Sequence, residues 1–426
     1  MNIKELHLKF LESDGICTDT RNIVPKTIFF ALKGTNFNAN EFAHQALEEG
    51  CSFAVIDEME YADREGCILV DDVLTALQEL ARHHRRQFDI PIIGITGSNG
   101  KTTCKELMGA VLQTEKNTLI TQGNLNNHLG VPFTLLKLNS EHEMAIIEMG
   151  ANKPGDINEL VEIAEPTVGI ITNIGAAHIE GFGSLEGVVK TKTEMYRFIE
   201  RSEGAVIYHK ADPILVEHLP KVEDQFSYGV GGDIEGALVR LDPFVTFTWS
   251  KEEYSSEELG TNLIGEYNFT NFLLAVAVGS YFGIQSESIN EALVSYVPSN
   301  NRSQLMETDR NTLIVDCYNA NATSMTAAIK SFSKVNSTPR MMILGDMLEL
   351  GDISQEEHQK IADLAKELSI ETLLVGLEFS KVNTTFNTYD NWEELVADYD
   401  LNELEHQLIL LKGSRGIRLE ELIPHL

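Results

Sequence analysis

A glycine-rich turn near residue 100 carries the residue types that bind phosphate. The segment GITGSNGKTT at residues 94–103 follows an apolar run and precedes a helical pattern. Glycines let successive backbone N–H groups face one phosphate, and the N-terminus of the following helix adds partial positive charge. Lys101 would reach the β- and γ-phosphates of a nucleotide, and the Thr102 hydroxyl would bind Mg²⁺. The predicted nucleotide contacts are Gly97, Ser98, Asn99, Gly100, Lys101, Thr102 and Thr103.

The turn departs at one position from the usual pattern Gly-x4-Gly-Lys-Thr, because Ile95 stands where the first glycine is expected. A tight turn without a function is the alternative interpretation. The strand–turn–helix context, which is the structural condition for a phosphate loop, favours nucleotide binding.

Two further polar residues stand where apolar strands end. Glu148 lies in MAIIEM, residues 144–149, and His178 follows VGIITN, residues 168–173, by five positions. The carboxyl ends of parallel strands share one edge of a sheet, where ligands bind. We therefore expect Glu148 and His178 to face the nucleotide, as Mg²⁺ ligands or as hydrogen-bond partners of those ligands. Alone, such a glutamate is more often a solvated surface acid, and such a histidine a hydrogen-bonded structural residue.

The length of 426 residues and the element pattern predict three domains. Residues 1–86 alternate short strands with helices. In residues 87–300, continuous apolar strands predict a parallel sheet covered on both faces and built from βαβ units. Residues 301–426 read as a doubly wound domain without Gly-x-Gly-x-x-Gly, so nothing there indicates a nicotinamide cofactor. The turn-rich segment 298–301 is a candidate hinge.

The individual elements follow from apolar runs and helical periodicity. Several strands are also expected between residues 204 and 250. The predicted strands are 26–32, 51–56, 90–96, 144–149, 168–173, 312–317, 340–344, 372–375 and 407–411, and the predicted helices are 41–49, 71–88, 101–113 and 268–282.

The chain is acidic, with 33 Lys and Arg against 65 Asp and Glu and a formal net charge of -32. This charge disfavours nucleic acid as a partner. No apolar run approaches the ~20 residues of a membrane span, and the first residues do not resemble a cleaved signal peptide. We therefore expect a cytoplasmic protein. The five scattered cysteines predict buried, reduced thiols rather than disulfides or a zinc site.

Taken together, the motifs resemble those of the Mur ligase family, in order and along nearly the whole chain. Three of these motifs, at residues 316–321, 344–351 and 412–416, resemble the branch of the family that adds D-alanyl-D-alanine. The resembling segments are DTR (19–21), ALKG (31–34), TGSNGKTT (96–103), GNLNN (123–127), EMG (148–150), TNIGAAH (172–178), GFGS (181–184), KTE (192–194), NFTN (268–271), DCYNAN (316–321), LGDMLELG (344–351) and KGSRG (412–416).

The resemblance implies an α/β fold of three domains: a small nucleotide-sugar domain, a central P-loop ATPase domain with a parallel sheet, and a C-terminal Rossmann-like domain. It implies an ATP-dependent ligase of peptidoglycan synthesis that joins D-alanyl-D-alanine to UDP-N-acetylmuramoyl-tripeptide through an acyl phosphate. Another Mur-type amino-acid ligase, or a P-loop nucleotide-binding regulator without ligase chemistry, remains an alternative. We expect a monomer.

The resemblance also implies a metal centre with two Mg²⁺ ions. Lys192 matches a lysine that the family carbamylates with CO₂, although pattern alone makes it one more exposed lysine. Its carbamate would bind one ion together with His178, while Thr102 and Glu148 would hold the other. With Lys101, these residues form the expected catalytic set, completed by Arg302, which matches a basic residue that closes onto the γ-phosphate.

Further roles come from the same resemblance. Asn268 and Asn271 match asparagines that contact adenine, and Asp316 matches an acid near the ribose. In the N-terminal domain, the expected contacts to the uridine nucleotide are Thr20, Arg21, Lys33 and Gly34.

The chain departs from the family pattern at several places, none of which is a proposed metal or phosphate ligand. Asn38-Ala39-Asn40 stands where Asp-Gly-His is usual, and Asn301 precedes Arg302 where glycine is common. Tyr267 stands where histidine is common, and Cys317 and Ala322 replace serine and proline.

Overall fold

The computed structural model describes residues 2–175, 179–298, 302–335 and 339–426. The N-terminal part of the chain forms a parallel sheet in the order β1-β2-β5-β6 and a hairpin of β3 with β4. Its elements are α1 (Ile3–Leu11), β1 (Ile16–Cys17), β2 (Ile28–Phe30), β3 (Lys33–Gly34), β4 (Phe37–Asn38), α2 (Ala43–Glu48), β5 (Phe53–Ile56), β6 (Cys67–Leu69) and α3 (Val73–Arg85).

Helix α3 joins this sheet to the centre of the molecule. Asp72 caps its start by accepting a hydrogen bond from the Thr75 N–H at 2.7 Å. Its arginine-rich end contacts Glu165, with Arg82 Nε 2.8 Å from Glu165 Oε1 and Arg86 paired with the same carboxylate. The basic cluster that ends the predicted helix therefore attaches one part of the chain to another.

The central part of the chain is a six-stranded, fully parallel sheet in the order β12-β11-β10-β7-β9-β8. Beside it, β13, β14, β15 and β16 form an antiparallel sheet. The elements are β7 (Ile92–Thr96), α4 (Lys101–Leu112), β8 (Thr118–Ile120), α5 (Gly130–Leu135), β9 (Met144–Glu148), α6 (Asp156–Ala164), β10 (Val168–Ile171), α7 (Ile179–Phe182), α8 (Leu185–Lys192), α9 (Glu194–Ser202), β11 (Ala205–His209), α10 (Pro213–Glu217), β12 (Gln225–Tyr228), β13 (Glu235–Leu241), β14 (Phe244–Lys251), β15 (Tyr254–Ser255), β16 (Leu259–Ile264), α11 (Tyr267–Tyr281) and α12 (Ser286–Ser295).

The C-terminal part is a second six-stranded sheet in the order β17-β18-β22-β19-β20-β21, parallel except for the edge strand β17. Helices pack on both of its faces, each over its own apolar cluster. The elements are β17 (Gln304–Glu307), β18 (Thr312–Asp316), α13 (Ala322–Ser333), β19 (Arg340–Gly345), α14 (Ser354–Glu367), β20 (Glu371–Val375), β21 (Asn387–Tyr389), α15 (Trp392–Asp398) and β22 (Leu408–Lys412).

The predicted α/β fold with parallel sheets is confirmed, and each predicted strand and helix overlaps an observed one. Several observed strands, such as β2 and β10, are shorter than predicted by two to four residues, whereas β19 and β20 are each one residue longer. All five cysteines are free, but Cys17 and Cys67 are only half-buried, so the prediction of five buried thiols was wrong for these two. No helix within the described ranges is long and apolar enough to cross a membrane.

Candidate active site

One cleft of about 900 Å³ lies where the carboxyl ends of the central and C-terminal sheets face each other. From the central sheet, β7 ends at the glycine-rich turn and β9 ends at Glu148. From the C-terminal sheet, β18 ends at Asp316 and β22 at Lys412, and both residues line the cleft. Ligand sites of parallel α/β sheets lie at this edge. The cleft therefore collects polar side chains from two sheets in one place.

The glycine-rich turn wraps tightly against neighbouring strands. Gly97 has φ 145°, and a Cβ there would lie 2.0 Å from Thr172 Oγ1; Gly100 has φ 80°, and a Cβ there would lie 2.9 Å from Asn271 Oδ1. No other residue type combines these backbone angles with such close neighbours. Ser98 through Thr103 line the cleft, whereas Gly97 is not among its lining residues.

Asn173 fixes the turn from the end of β10. Its backbone carbonyl accepts a hydrogen bond from the Ser98 N–H at 3.0 Å, and its Oδ1 accepts one from the Asn99 N–H at 3.1 Å. The Thr172 hydroxyl donates to the Asn99 carbonyl at 2.6 Å. These bonds hold the loop backbone in one conformation before any ligand binds.

Lys101 is the first residue of α4 and folds back over the turn, donating from Nζ to the Gly97 carbonyl at 2.6 Å. Burial lowers the pKa of its ammonium, and the nearby Arg302 guanidinium acts in the same direction, while Glu148 opposes it. An anionic phosphate group would reverse this effect, because it stabilises the charged form of the amine.

Glu148 is 1% exposed and lies beside Thr102 at the end of β9. Its Oε1 accepts hydrogen bonds from Thr102 Oγ1 at 3.2 Å and from Asn126 Nδ2 at 2.8 Å. Its Oε2 has no hydrogen-bond donor in the described part of the chain. A buried carboxylate oxygen without a donor, next to a threonine hydroxyl, is an oxygen-ligand set that suits Mg²⁺. The predicted positions of Thr102 and Glu148 at one sheet edge are both observed.

Asn268 and Asn271 lie about one helical turn apart on one face of α11, and both line the cleft. The Asn271 amide donates to Asn268 Oδ1 at 2.7 Å and accepts a hydrogen bond from the Cys104 thiol at 3.2 Å. The Asn268 amide donates to the Ile264 carbonyl at 2.7 Å. The two amides are thus fixed in orientation, with one N–H of each left for a ligand.

On the opposite wall, Arg302 stacks its guanidinium 3.7 Å from the centre of the Tyr318 ring, and its Nε has no hydrogen-bond partner within the described ranges. Asp316 accepts a hydrogen bond from Lys412 Nζ at 2.7 Å. The hydroxyl groups of Tyr267, at the start of α11, and Ser303, next to Arg302, share a hydrogen bond of 2.7 Å. This wall therefore presents the cationic groups of Arg302 and Lys412 to the cleft, which Arg415 also lines.

The C-terminal sheet also contacts the glycine-rich turn directly. Asn321, which caps α13, donates from Nδ2 to Asn99 Oδ1 at 2.8 Å. Nearby, a Cβ at Gly175 would lie 3.3 Å from Thr323 Oγ1. The two walls of the cleft therefore touch at the glycine-rich turn.

Lys192 is the last residue of α8 and is 1% exposed, so the pattern-based expectation of a solvated lysine was wrong. Burial places the pKa of its amine well below the ordinary value, and the Lys101 charge adds to this shift. Its Nζ lies 5.6 Å from the centre of the Phe182 ring. Lys192 is not among the residues that line the cleft, and His178, its predicted partner, lies outside the described residues.

The predicted uridine-nucleotide residues lie apart from the cleft lining, in the N-terminal sheet region. Lys33 Nζ contacts Asp57 Oδ1 at 2.8 Å and Glu58 Oε1 at 3.0 Å. Asn38 and Asn40 donate to the same two acids at 2.9 Å each, so the residues that depart from the family pattern build the surroundings of Lys33. Thr20, Arg21 and Gly34 lie in a 3-10 turn and a hairpin of the same region, where Arg21 pairs with Asp19.

Sequence reasoning missed several polar residues of the site. Asn126 lies in a motif that resembled the family, but only the fold places its amide on Glu148. Lys412 and Asn321 likewise lie in such motifs, yet their partners come from other elements. Lys105 had a local signal, since it follows Lys101 by one helical turn, but that spacing does not reveal burial.

Comparisons with known proteins agree with this geometry. Family models match residues 95–279, as the Mur ligase middle domain, and residues 301–415, as the Mur ligase glutamate ligase domain. Fold and site thus define a P-loop ligase, and the chain belongs to the Mur ligase family.

Two relatives carry the name UDP-N-acetylmuramoyl-tripeptide--D-alanyl-D-alanine ligase. The one from Bacillus subtilis (strain 168) is 32% identical over 97% of this chain and 93% of its own length. The one from Escherichia coli (strain K12) is 33% identical over 96% of this chain and 93% of its own length.

Solved structures show the same likeness. A crystal structure of MurF from Acinetobacter baumannii has a TM-score of 0.88 and 32% identity, and covers 99% of this chain and 98% of that chain. MurF from Thermotoga maritima, solved in complex with ADP, also has a TM-score of 0.88 at 23% identity, covering 97% of each chain. Membership of the Mur ligase family, together with the names of relatives that are more than 30% identical, identifies the chain as an ATP-dependent peptide ligase.

Proposed function

We propose that this enzyme joins D-alanyl-D-alanine to UDP-N-acetylmuramoyl-tripeptide in the cytoplasm, as a monomer, during peptidoglycan synthesis. The observation that carries the proposal is the cleft itself, where a phosphate-binding turn, a buried carboxylate and two cationic groups converge. The names of relatives that match nearly the full chain supply the substrates.

The proposed reaction has two steps. The peptide carboxylate attacks the γ-phosphorus of ATP in line, which forms an acyl phosphate and releases ADP. The neutral amine of D-alanyl-D-alanine then attacks the acyl carbon, the C–O bond to phosphate breaks with its electrons going to the phosphate, and the amine nitrogen loses a proton to the released phosphate, which leaves the neutral amide. Positioning and charge neutralisation provide most of the catalysis in such a transfer. Lys101 and Arg302 are placed to offset charge on the transferred phosphoryl group.

For the nucleotide, we assign Asn268 and Asn271 to adenine and Asp316 to the ribose. The adenine assignment is supported by the two side-chain amides, each of which uses one N–H within the protein and keeps the other for a ligand at the cleft wall. Asp316 remains paired with Lys412, so a ribose hydroxyl would share its carboxylate with that ammonium.

Thr102 and Glu148 fit a Mg²⁺ ion, because Glu148 Oε2 is buried without a hydrogen-bond donor in the described residues. When bound, Mg²⁺ supplies Lewis-acid stabilisation of phosphoryl charge. For Lys192, we propose carbamylation, supported by its burial and lowered pKa, since the neutral amine is the form that attacks CO₂. The nitrogen would form a bond to carbon and release a proton, and the resulting carbamate, with His178, would hold a second ion.

We further propose three functional segments: residues 1–86 bind the uridine nucleotide, residues 87–300 bind ATP, and residues 301–426 form the Rossmann-like ligase domain that closes the cleft. Thr20, Arg21, Lys33 and Gly34 are the proposed nucleotide contacts of the first segment. The reactive acyl phosphate must be shielded from water, which requires a closed cleft during turnover.

Phosphate release measured with ATP, Mg²⁺ and UDP-N-acetylmuramoyl-tripeptide tests this function. We expect release to depend on D-alanyl-D-alanine and to yield one amide product per phosphate, detected by mass spectrometry. Release that is equally fast with another amino acid would indicate a different Mur ligase. Nucleotide binding without acceptor-dependent turnover would indicate a regulator without ligase chemistry.

A further inference from the structure

Lys105 is a buried lysine that the proposed mechanism leaves without a role. It lies one turn after Lys101 on α4 and is 1% exposed. Its Nζ donates to the Gly123 carbonyl at 3.3 Å and lies 3.6 Å from Glu148 Oε2. Lys105 is not among the residues that line the cleft. Its ammonium therefore lies behind Glu148 as seen from the cleft and has no direct route to a substrate.

The Glu148 carboxylate is held unequally at its two oxygens. Oε1 accepts the hydrogen bonds from Thr102 and Asn126, whereas Oε2 has no donor within the described ranges and faces the Lys105 charge. A buried carboxylate is costly unless an opposite charge compensates it. Lys105 supplies that compensation in the nucleotide-free protein.

A divalent cation at Thr102 and Glu148 would share this carboxylate with the Lys105 ammonium. Two like charges that approach one carboxylate repel each other strongly in a poorly solvated site. Phosphate oxygens of a bound nucleotide would offset that repulsion, because they add negative charge and metal ligands on the cleft side. The nucleotide-free site should therefore bind the cation weakly, and the nucleotide-bound site tightly.

We propose that Lys105 is a positioning residue that neutralises Glu148 until the nucleotide binds, so that the divalent cation enters the site only together with ATP. This inference rests on the proposed assignment of Thr102 and Glu148 as metal ligands. If Lys105 acts in this way, the enzyme binds the complex of the metal ion with the nucleotide in preference to the free metal ion.

A purely structural role for Lys105 is the competing explanation. The Gly123 carbonyl begins the loop of residues 123–127, and Asn124, Asn126 and Asn127 of that loop line the cleft. Lys105→Gln separates the structural role from the electrostatic role, because the glutamine side chain keeps a hydrogen-bond donor but has no charge. Lys116→Gln is the matched control, since it removes the same charge from a partly exposed lysine paired with Glu143.

The test is Mn²⁺ binding to the full-length protein, followed by the electron paramagnetic resonance signal of free Mn²⁺. Without nucleotide, we expect wild type and Lys116→Gln to bind Mn²⁺ weakly and Lys105→Gln to bind it at least about tenfold more tightly. With a non-hydrolysable ATP analogue, all three should bind Mn²⁺. Adding Glu148→Gln to Lys105→Gln should abolish the gain, because the effect acts through that carboxylate.

Equal Mn²⁺ affinity of wild type and Lys105→Gln without nucleotide would overturn the proposal. So would tight Mn²⁺ binding by the nucleotide-free wild type, a result that stands even if the variant does not fold. If wild type fails to retain Mn²⁺ in the presence of the analogue, the metal assignment in the proposed function is itself wrong. The outcomes with and without nucleotide thus separate the two failures.

Discussion

Lys101 and Lys192 are both buried amines with a lowered pKa, but their surroundings differ. Lys101 lines the cleft and donates to the backbone of the phosphate-binding turn. Lys192 ends α8 below the Phe182 ring and is not a lining residue. In the proposed mechanism, the first contacts a phosphate directly, whereas the second reaches a metal ion only through an added carbamate.

Replacing Lys192 with methionine should separate activity from stability. The folded-state pKa of Lys192 is lowered, so folding favours the neutral amine and costs free energy at pH values where the unfolded chain holds this proton. This cost is complete below the lowered folded-state pKa, decreases as the pH rises above that value, and disappears at the ordinary lysine pKa. In CO₂-free buffer at pH 7, Lys192→Met should therefore raise the free energy of unfolding by about 1 kcal/mol or more. Ligase activity should fall at least about 100-fold if the carbamate holds a metal ion.

Lys190→Met is the control, because Lys190 is an exposed residue of the same helix. It should leave both denaturant unfolding and phosphate release unchanged. Small carboxylic acids should partly restore the activity of Lys192→Ala by replacing the carbamate. Full turnover by either Lys192 variant would remove this residue from the proposed metal site.

The residues that could be predicted are those whose role follows from a contiguous motif or from a strand end. Lys101 and Thr102 belong to one turn, and Glu148 follows from the rule that parallel strands end at the ligand edge. The ion pair between Asp316 and Lys412 joins residues nearly one hundred positions apart, on strands whose pairing the pattern does not specify. The burial of Lys192 was likewise invisible, because it depends on what α8 packs against.

At the scale of the element, the start of α13 combines a cap with a contact between two sheets. Asn321 Oδ1 accepts a hydrogen bond from the Ser324 N–H at 2.9 Å, and the Ser324 hydroxyl accepts one from the Asn321 N–H at 3.1 Å. The side-chain Nδ2 of Asn321 donates to Asn99 Oδ1 in the glycine-rich turn. One side chain therefore fixes the helix start and joins the C-terminal part of the chain to the glycine-rich turn.

Asn321→Ala and Asn391→Ala should be distinguishable by nucleotide kinetics. Asn391 caps α15 by accepting a hydrogen bond from the Glu394 N–H at 2.9 Å, and it is not among the residues that line the cleft. Each substitution should lower stability by about 1 kcal/mol through loss of a cap. Asn321→Ala alone should raise the KM for ATP by about 2- to 10-fold, the value of one hydrogen bond. Equal KM values for both variants would mean that the Asn99 contact has no role in nucleotide binding.

The elements that sequence patterns predicted best are the buried parallel strands, since β7, β9, β10 and β19 are continuously apolar. Among the strands that were missed, β8, β17 and β21 have three or four residues, most of them partly exposed, so their side chains give no periodic signal. β17 pairs with β18 in the antiparallel direction, whereas all other strand pairs of that sheet are parallel, so its direction could not be predicted from the rest of the sheet.

At the scale of the whole molecule, the cleft depends on how two separate sheets face each other. Contacts such as Tyr267 with Ser303, and the ion pair of Glu266 with Lys334, set this arrangement. Each contact is a single polar pair between distant segments, which no periodicity in the sequence encodes. The family resemblance predicted a third domain that meets the second, but the contacting residues come only from the structure.

The net charge of -32 should act on substrate binding over the whole molecule. The nucleotide and the UDP-linked peptide are anions, so the field of the protein opposes their approach, and salt screens that field. Raising KCl from ~20 to ~200 mM, where the screening length falls to below ~10 Å, should lower the KM values of these two substrates. D-alanyl-D-alanine has no net charge at neutral pH and provides an internal control, because its KM should change little. If the KM of ATP instead rises with salt, attraction by Lys101, Arg302 and Lys412 in the cleft outweighs the field of the acidic surface.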